Sequence, residues 1–232
     1  MGEWLHAVAR GLDPGAVQDL AGIAGTPVRA VAGAGLAAVV SPVELDEEAL
    51  RTNLENLEWL DRTARAHHAV VAALAERHAV VPAQLATVYR DDDGVRAMLR
   101  ERRADLDAVL DRVDGRAEWG VKMYAQAASG EPATVDTDRP GTAYLNRRRA
   151  QDDRRKRAYD SAEAADKALA GNAAEARRLT GRPEPMLLNA AYLVDRAAAE
   201  DFAGLVTEQA ARHEDLRLEL TGPWPPYSFT AS

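Results

Sequence analysis

The histidines are the first residues to examine for chemistry, because imidazole nitrogens bind metals and transfer protons near neutral pH. His67 and His78 lie on one apolar side of a predicted helix, but eleven residues separate them, which is about 16 Å along a helix axis. One metal ion therefore cannot bind both. His68 has no histidine or carboxylate three or four residues later, and the zinc motif HExxH is absent. The sequence predicts that these histidines pack inside the protein.

Two other patterns partly match ligand-binding loops. Asp91-Asp92-Asp93-Gly94 could belong to a calcium loop, but Gly94 at the sixth position would place Tyr89 first and Arg100 twelfth, where carboxylates are required. The aspartates are instead expected to begin a helix, whose free amides favour acceptors. Gly33-Ala34-Gly35 matches part of a dinucleotide fingerprint, but a strand-like run follows it where the fingerprint requires a helix. A hairpin turn is predicted there.

Motifs for nucleophilic and phosphate chemistry are missing from the sequence. The chain has no cysteine, no Gly-x-x-x-x-Gly-Lys-Ser/Thr loop and no Gly-x-Ser-x-Gly elbow, and none of its five serines has a neighbouring histidine. The sequence therefore predicts no catalytic residues, no cofactor and no metal site, and it favours a protein that is not an enzyme.

A cluster of basic residues is the strongest charge feature of the chain. Seven lie between Tyr144 and Tyr159 against only Asp152 and Asp153, so this stretch has a local charge of +5 in a chain of net charge −8. Three interpretations remain open: a solvated helix with ion pairs from the two aspartates, a contact with another protein, or a nucleic-acid contact. The basic residues are Arg147, Arg148, Arg149, Arg154, Arg155, Lys156 and Arg157.

The C-terminal segment combines prolines and aromatic rings in a way that is unusual for a loose terminus. Three prolines and three aromatic residues occur within seven positions, Pro223, Trp224, Pro225, Pro226, Tyr227 and Phe229. Because proline fixes φ near −65°, the segment is stiff as well as apolar. We expect it to dock in a groove of its own protein, between two domains, as an intramolecular brace.

The elements that must position these groups predict an α+β protein of two domains. Apolar periodicity favours strands at residues 3–9, 28–31, 36–40, 80–89, 117–125, 186–194 and 215–220, and helices at 46–78, 95–113, 142–179 and 197–213. A further helix is expected to start at Asp13-Pro14, and Asn53 is the expected cap within 46–78. A break near Gly171-Asn172 is an alternative for the helix over 142–179. Residues 80–221 then give two βαβ halves, the order of a ferredoxin-like domain, with a helical insertion at about 130–180. Residues 1–52 form a smaller α+β domain, a helix over 53–79 bridges the two, and residues 222–232 form the docked tail.

Composition limits the class of protein. The chain has 232 residues, of which 47% are hydrophobic and 28% charged, and these values are typical of a globular protein with a real core. No apolar run approaches the roughly 20 residues that cross a bilayer, and no secretory signal is recognised. A cytoplasmic protein that binds no membrane is expected. The net charge of −8 argues against nucleic-acid binding by the surface as a whole.

Several segments together resemble the gas vesicle protein F/L family (GvpF/GvpL). They follow the family order across nearly the whole chain: Asn56-Leu57-Glu58-Trp59-Leu60, Val81-Pro82 with Thr87-Val88-Tyr89, Glu118-Trp119-Gly120-Val121-Lys122, Gly141-x-x-Tyr144-Leu145-x-x-Arg148-Arg149, Asn189-Ala190-Ala191-Tyr192-Leu193-Val194, and Thr221 to Phe229. The last of these is the most specific. The run Ala83-Gln84-Leu85-Ala86 departs from the family pattern, which often has a Leu-Arg-Phe-Gly-like run there.

The resemblance implies a cytoplasmic, chaperone-like assembly factor without enzymatic activity, associated with the gas vesicle. Its implied partners are the small hydrophobic gas vesicle shell protein and other gas vesicle accessory proteins, and no cofactor. It also implies two α+β domains, the second ferredoxin-like and braced by the tail. The alternative function is a nucleic-acid-binding regulator that uses the basic helix around 147–157.

Overall fold

The computed structural model describes residues 1–44, 52, 55–126, 140–180 and 185–230, with only the backbone of 140–147. The chain divides into two compact units. Unit 1 comprises Met1–Ala117 and Trp224–Ser232, and unit 2 comprises Glu118–Pro223. This division differs from the predicted one, because residues 53–117 belong with the N-terminal residues.

Unit 1 is built on a mixed set of strands and helices. Its elements are β1 (Gly2–Arg10), β2 (Arg29–Gly33), β3 (Leu36–Val43), α1 (Leu57–Ala75), β4 (Val80–Pro82), β5 (Val88–Tyr89), α2 (Asp92–Glu101) and α3 (Arg103–Val113). The sheet order is β2-β3-β1-β4, and β5 also pairs with β1. Asn56 caps α1 by accepting from the amides of Glu58 and Trp59, while the predicted cap, Asn53, lies outside the described residues.

The predicted bridging helix is part of the unit 1 core. Val70, Val71 and Leu74 of α1 are buried in one cluster with side chains from β1, β3 and β4. The strand at Val80–Pro82, assigned from the sequence to the ferredoxin-like domain, pairs antiparallel with β1 instead. That prediction was wrong because sequence order shows which strands are neighbours along the chain, whereas this pairing closes over 70 residues.

Three local predictions in unit 1 can be compared with the structure. The helix predicted over 95–113 is interrupted at Arg102, which has φ −99° and ψ 12° and separates α2 from α3. Asp91 caps α2, since its Oδ1 accepts from the Gly94 amide at 2.9 Å, so the acidic triplet does begin a helix. Asp13 begins only a four-residue 3-10 helix, Pro14–Val17, not the longer helix expected there.

A cluster of polar rings lies inside unit 1. The Trp4 indole nitrogen donates to Nδ1 of His67 at 3.0 Å, so the ring proton of neutral His67 is on Nε2, which donates to the Ala83 carbonyl at 3.2 Å. His6 stacks on His67 with ring centroids 5.3 Å apart, and its Nε2 lies 2.9 Å from Ser41 Oγ. Both nitrogens of His67 are therefore satisfied only when the ring is uncharged.

Burial opposes protonation of this pair. The pKa of His6 is lowered to about 3, first by burial and then by the charge of His67. Burial also lowers the pKa of His67, and the nearby His68 acts in the same direction, while the hydrogen bond to Ala83 opposes them. The expectation that His67 is a packing residue agrees with this arrangement.

The C-terminal segment lies against helices of unit 1. Phe229 is completely buried, and its carbonyl accepts from the Arg112 guanidinium of α3. The Tyr227 hydroxyl lies 3.4 Å from His68 Nδ1 on α1. Trp224, which we expected to be an anchor, is 43% exposed, and its ring meets His68 edge-on at a centroid distance of 5.5 Å. Phe229 is thus the buried aromatic residue of the tail.

Unit 2 contains the elements β6 (Arg116–Ala125), α4 (Pro140–Ala170), β7 (Glu175–Arg178), β8 (Met186–Asp195), α5 (Ala199–Arg212) and β9 (Leu216–Trp224), with β6 and β9 crossing its boundaries. Its sheet has the order β7-β8-β6-β9. One core cluster joins Val121 and Met123 of β6 with Tyr192 of β8 and Phe202 of α5.

Three elements of unit 2 differ from the predicted ranges. The helix predicted to reach about residue 179 ends at Ala170, at the alternative break near Gly171-Asn172, and residues 175–178 form the edge strand β7, which pairs antiparallel with β8. The last strand continues to Trp224, so the tail begins inside it. Gly222 is required there: its φ is 124°, and a Cβ would lie 2.9 Å from the Glu118 carbonyl oxygen.

Replacing Phe229 with alanine should destabilise the protein far more than replacing Trp224. Truncating a fully buried phenylalanine costs about 3–5 kcal/mol, whereas the partly exposed Trp224 should cost less than about 2 kcal/mol. Urea unfolding of Phe229→Ala and Trp224→Ala, followed by circular dichroism, measures both. Equal losses for the two variants would contradict this description of the tail.

The free energy of unfolding should fall as the pH drops below about 6.5. The folded pKa of His6 is about 3 and the ordinary value is 6.5, so between these values the unfolded chain takes up a proton that the folded chain excludes. The slope approaches about 1.4 kcal/mol per pH unit for each such histidine. Urea titrations between neutral pH and pH 5 measure it.

The variant His6→Gln should show a shallower loss over the same pH range. Ser41→Ala is the matched control, because it removes the same hydrogen bond but keeps the titrating ring. A slope in His6→Gln as steep as in Ser41→Ala would exclude His6 as the source of the acid sensitivity.

Candidate functional site

The candidate site is built on helix α4, whose C-terminal half is anchored in unit 2. Ala158, Ala162, Ala165 and Leu169 are all buried and recur at intervals of four, three and four residues, so they lie on one helix face. They share a cluster with the apolar side chains of β8. Because alanine is small, this stripe lets the helix backbone approach the sheet closely.

A buried carboxylate fixes the orientation of this half of α4. Asp166 accepts from the Tyr192 hydroxyl of β8 at 2.5 Å and from Arg178 of β7 at 2.6 and 2.9 Å. Arg178 also donates to Glu163 at 2.7 Å. A carboxylate removed from water needs such partners, so α4 is tied to two strands by one side chain.

The same contacts shift the pKa values of the partners. The pKa of Tyr192 is raised, first by burial and then by its hydrogen bond to Asp166. The pKa of Arg178 is raised by its hydrogen bonds to Glu163 and Asp166. Tyr192 therefore stays protonated as a hydrogen-bond donor, and Arg178 stays charged, across the whole pH range in which proteins fold.

The N-terminal half of α4 has a different environment. Residues 148–157 are exposed at every position, in contrast to the buried stripe that begins at Ala158, and we call this stretch the cationic arm. Five of the six arginines predicted as a protein contact, Arg148, Arg149, Arg154, Arg155 and Arg157, lie in the cationic arm. The side chain of the sixth, Arg147, lies outside the described residues.

Within the described part of the chain, Asp152 and Asp153 pair with none of the arginines of the cationic arm. Arg154, Lys156 and Arg157 make no hydrogen bond or ion pair with the residues that the structure describes, and the same holds for Asp152 and Asp153. The solvated-helix interpretation relied on pairs from these two aspartates. Because these two aspartates pair with none of the described arginines, the cationic arm keeps a strongly positive surface.

A cleft of about 1290 Å³ opens at the base of the cationic arm, and we call it the basal cleft. One wall is α4 from Gln151 to Ser161, and the other is the end of α5 with the turn that follows, Ala211–Asp215. Its lining includes Ala125, Met186 and Leu187 from β6 and β8. Ser161 Oγ donates to Asp215 Oδ2 at 3.0 Å and so joins the two walls.

The basal cleft contains residues that the sequence analysis did not select. Tyr159 and His213 line it, and the Arg155 guanidinium lies 5.9 Å from the centre of the Tyr159 ring. The spacing of Arg155 and Tyr159, four residues along a helix, could have indicated that contact. Nothing in the sequence indicated that His213 would lie nearby, because it comes from a different element.

The predicted tail residues lie in a separate part of the fold and fall into three groups. Pro225, Pro226 and Phe229 are buried, Tyr227 is half-buried, and Pro223 and Trp224 are exposed. The tail from Trp224 onward belongs to unit 1, whereas the arginines belong to unit 2. The structure therefore presents two distinct candidate regions.

Two structural tests bear on other kinds of site. Within the described residues, no group of three or more histidine and carboxylate side chains is arranged to hold a metal ion. No helix in the same part of the chain is long and apolar enough to cross a membrane.

Comparison with curated proteins identifies close relatives. The chain is 40% identical over 246 residues to gas vesicle protein L of Streptomyces sp. (strain CB03234), covering 98% of this chain and 92% of that protein. It is 29% identical to gas vesicle protein F of the same organism, covering 99% of each. Gas vesicle protein F2 of Halobacterium salinarum is also 29% identical, over 90% of this chain and 82% of the relative.

Solved structures show the same fold. Superposition on the crystal structure of GvpF from Anabaena sp. PCC7120 gives a TM-score of 0.73 at 17% identity, covering 100% of this chain and 96% of that one. GvpF from Microcystis aeruginosa gives 0.71 at 16% identity, with coverage of 100% and 99%. The family model for gas vesicle synthesis protein GvpL/GvpF matches residues 2–231. The chain therefore belongs to the GvpL/GvpF family of gas vesicle proteins.

Proposed function

We propose that this protein is a non-enzymatic assembly factor of gas vesicles that binds the shell protein and other accessory proteins. The observation that carries the proposal is the family match over residues 2–231, since it spans both units. The proposed location is the cytoplasm, at the growing vesicle. No cofactor is part of the proposal.

The role is closer to that of protein L than to that of protein F. Both relatives come from one Streptomyces strain, so their identities can be compared directly. The chain is 40% identical to protein L and 29% identical to protein F, with nearly complete coverage in each case. This difference supports an L-like role.

We also propose that unit 2 is a ferredoxin-like domain, with different boundaries from those expected. Its element order is β6-α4-β7-β8-α5-β9, which is the βαββαβ order of that fold. The helix that we interpreted as an insertion is then the first crossover helix. An experimental structure in which β7 or β9 lies elsewhere in the sheet would contradict this assignment.

A second candidate function is a nucleic-acid-binding regulator. The specific observation in its favour is the cationic arm. Each of its residues is exposed, and its arginines could neutralise phosphates. Binding of a DNA or RNA duplex that weakens steeply with salt would support it. Carboxylates in and beside the same region argue for a protein partner instead, as set out below.

The proposed function predicts co-purification with gas vesicle proteins. A tagged full-length chain, expressed with its own gas vesicle gene cluster, should retain the shell protein and at least one accessory protein. Deletion of its gene should reduce or abolish vesicles, counted by electron microscopy. An unrelated tagged protein of similar size and charge is the control. Normal vesicles in the deletion strain, together with no retained gas vesicle protein, would refute the proposal.

A further inference from the structure

We propose that the cationic arm and the basal cleft form one docking surface for an acidic, amphipathic segment of a partner protein. Carboxylates of the partner would contact the arm, and apolar side chains of the same segment would enter the cleft. This inference rests on the proposed function, because it assigns a surface and a partner chemistry to an assembly factor.

The first observation is unbalanced charge. The whole chain has a net charge of −8, yet the cationic arm concentrates positive charge on one exposed stretch of α4. Arg154, Lys156 and Arg157 are exposed and have no ion-pair partner in the described part of the chain. Opposite charges on a partner would be steered to this arm, since complementary potentials increase the rate and the specificity of association.

The second observation is the apolar lining at the base of the same helix. Ala158 and Leu187 are buried and line the cleft, and Ala125 and Met186 lie beside them. The volume of about 1290 Å³ is above the range of ordinary ligand pockets, about 300–1000 Å³, so it can accept several side chains of a peptide. A purely acidic segment would leave this lining unused, and therefore the partner must also be apolar on one side.

The third observation separates a protein partner from a nucleic acid. Asp160, Glu214 and Asp215 line the cleft together with the arginines, and their carboxylates would repel a phosphate backbone that followed it. Tyr159 is the only phenol or indole ring among the described lining residues, whereas single-stranded nucleic acid is held by successive stacking rings. A peptide can place carboxylates on the arm alone and avoid the acidic wall.

The direct test measures binding of a defined probe to the full-length protein. The probe is a fluorescein-labelled helical peptide with leucines on one face and glutamates on the other, and its matched partner has glutamine in place of every glutamate. Fluorescence anisotropy should show binding of the glutamate peptide and at least about tenfold weaker binding of the glutamine peptide. Binding of the glutamate peptide should also weaken as the salt concentration rises from about 0.1 to about 1 M, because the Debye length shortens from about 10 to about 3 Å.

Charge-reversal variants locate the surface. The double variant Arg154→Glu/Arg157→Glu changes two exposed residues without described partners, so it should fold normally and bind the probe at least about tenfold more weakly. The matched control, Arg77→Glu/Arg90→Glu, makes the same change of net charge at two exposed arginines of unit 1 and should bind like the native chain. Ala211→Phe, which narrows the cleft without changing charge, should cause loss of binding. Circular dichroism confirms that each variant is folded.

The outcomes are distinguishable from those of the proposed function. If the Arg154/Arg157 variant binds the probe as tightly as the Arg77/Arg90 control, the docking surface is refuted, even where shell protein still co-purifies. If a single-stranded oligonucleotide binds the arm more tightly than the glutamate peptide does, the peptide-docking proposal is refuted and the arm is a nucleic-acid site. If the arm binds the probe but no gas vesicle protein co-purifies, the surface is supported and the proposed function fails.

Discussion

The hydrogen bonds of the Asp166 carboxylate are the constraint on which the candidate surface depends. Asp166 is nearly buried, and its oxygens are satisfied by Tyr192 and Arg178 from two different strands. A helix tethered in this way cannot rotate or slide without leaving a desolvated carboxylate unpaired, which is costly. The alanine stripe on the same half of α4 adds close packing. Together they fix the C-terminal half of α4, and the cationic arm is the stretch of the same helix that precedes this half.

Unit 1 depends on a different kind of buried polar contact. Burial lowers the pKa of His6 and of His67, and the uncharged His67 ring accepts from Trp4 and donates to the Ala83 carbonyl. The network in unit 2 instead uses a charged guanidinium and a carboxylate. The tail covers the neighbouring face of α1, with Tyr227 and Trp224 against His68 and Phe229 fully buried beyond them. In unit 2 the hydrogen bonds of Asp166 fix the position of α4, and in unit 1 the contacts with His68 help to fix the position of the tail.

The sequence predicts local structure in this protein better than it predicts pairing. The nearly continuous apolar run of β8, the alternation in β6 and the aspartate cap of α2 each produce the expected element, because the signal lies within one segment. The partner of β4 and the edge strand β7 were not predictable in the same way. Val80 pairs with Ala9, which lies more than 70 residues earlier in the chain. The strand β7 is a short, charged Glu-Ala-Arg-Arg segment, and it is stabilised by its pairing with β8 and by the contacts of Arg178 with α4.

The candidate site likewise combines features that the sequence predicts with features that only the folded chain shows. The arginines of the cationic arm are visible in the sequence as a charge cluster, but their exposure depends on where the buried stripe of α4 begins, at Ala158. The basal cleft was not predictable, because its walls come from α4 and α5 and meet only in the folded chain. In the tail, the composition draws attention to the whole Pro223–Phe229 segment but does not distinguish its rings: the fully buried ring is Phe229 and not the larger Trp224.

The central claim is that gas vesicle partners dock on the cationic arm. Site-specific photo-crosslinking inside cells that assemble gas vesicles tests it most directly, with a photoreactive residue at position 154 or, as the control, at position 77. Docking on the arm should give crosslinks to gas vesicle proteins from position 154 and none from position 77, with the attachment sites in acidic segments of the partners. Equal crosslinking from both positions, or none from position 154, would contradict it.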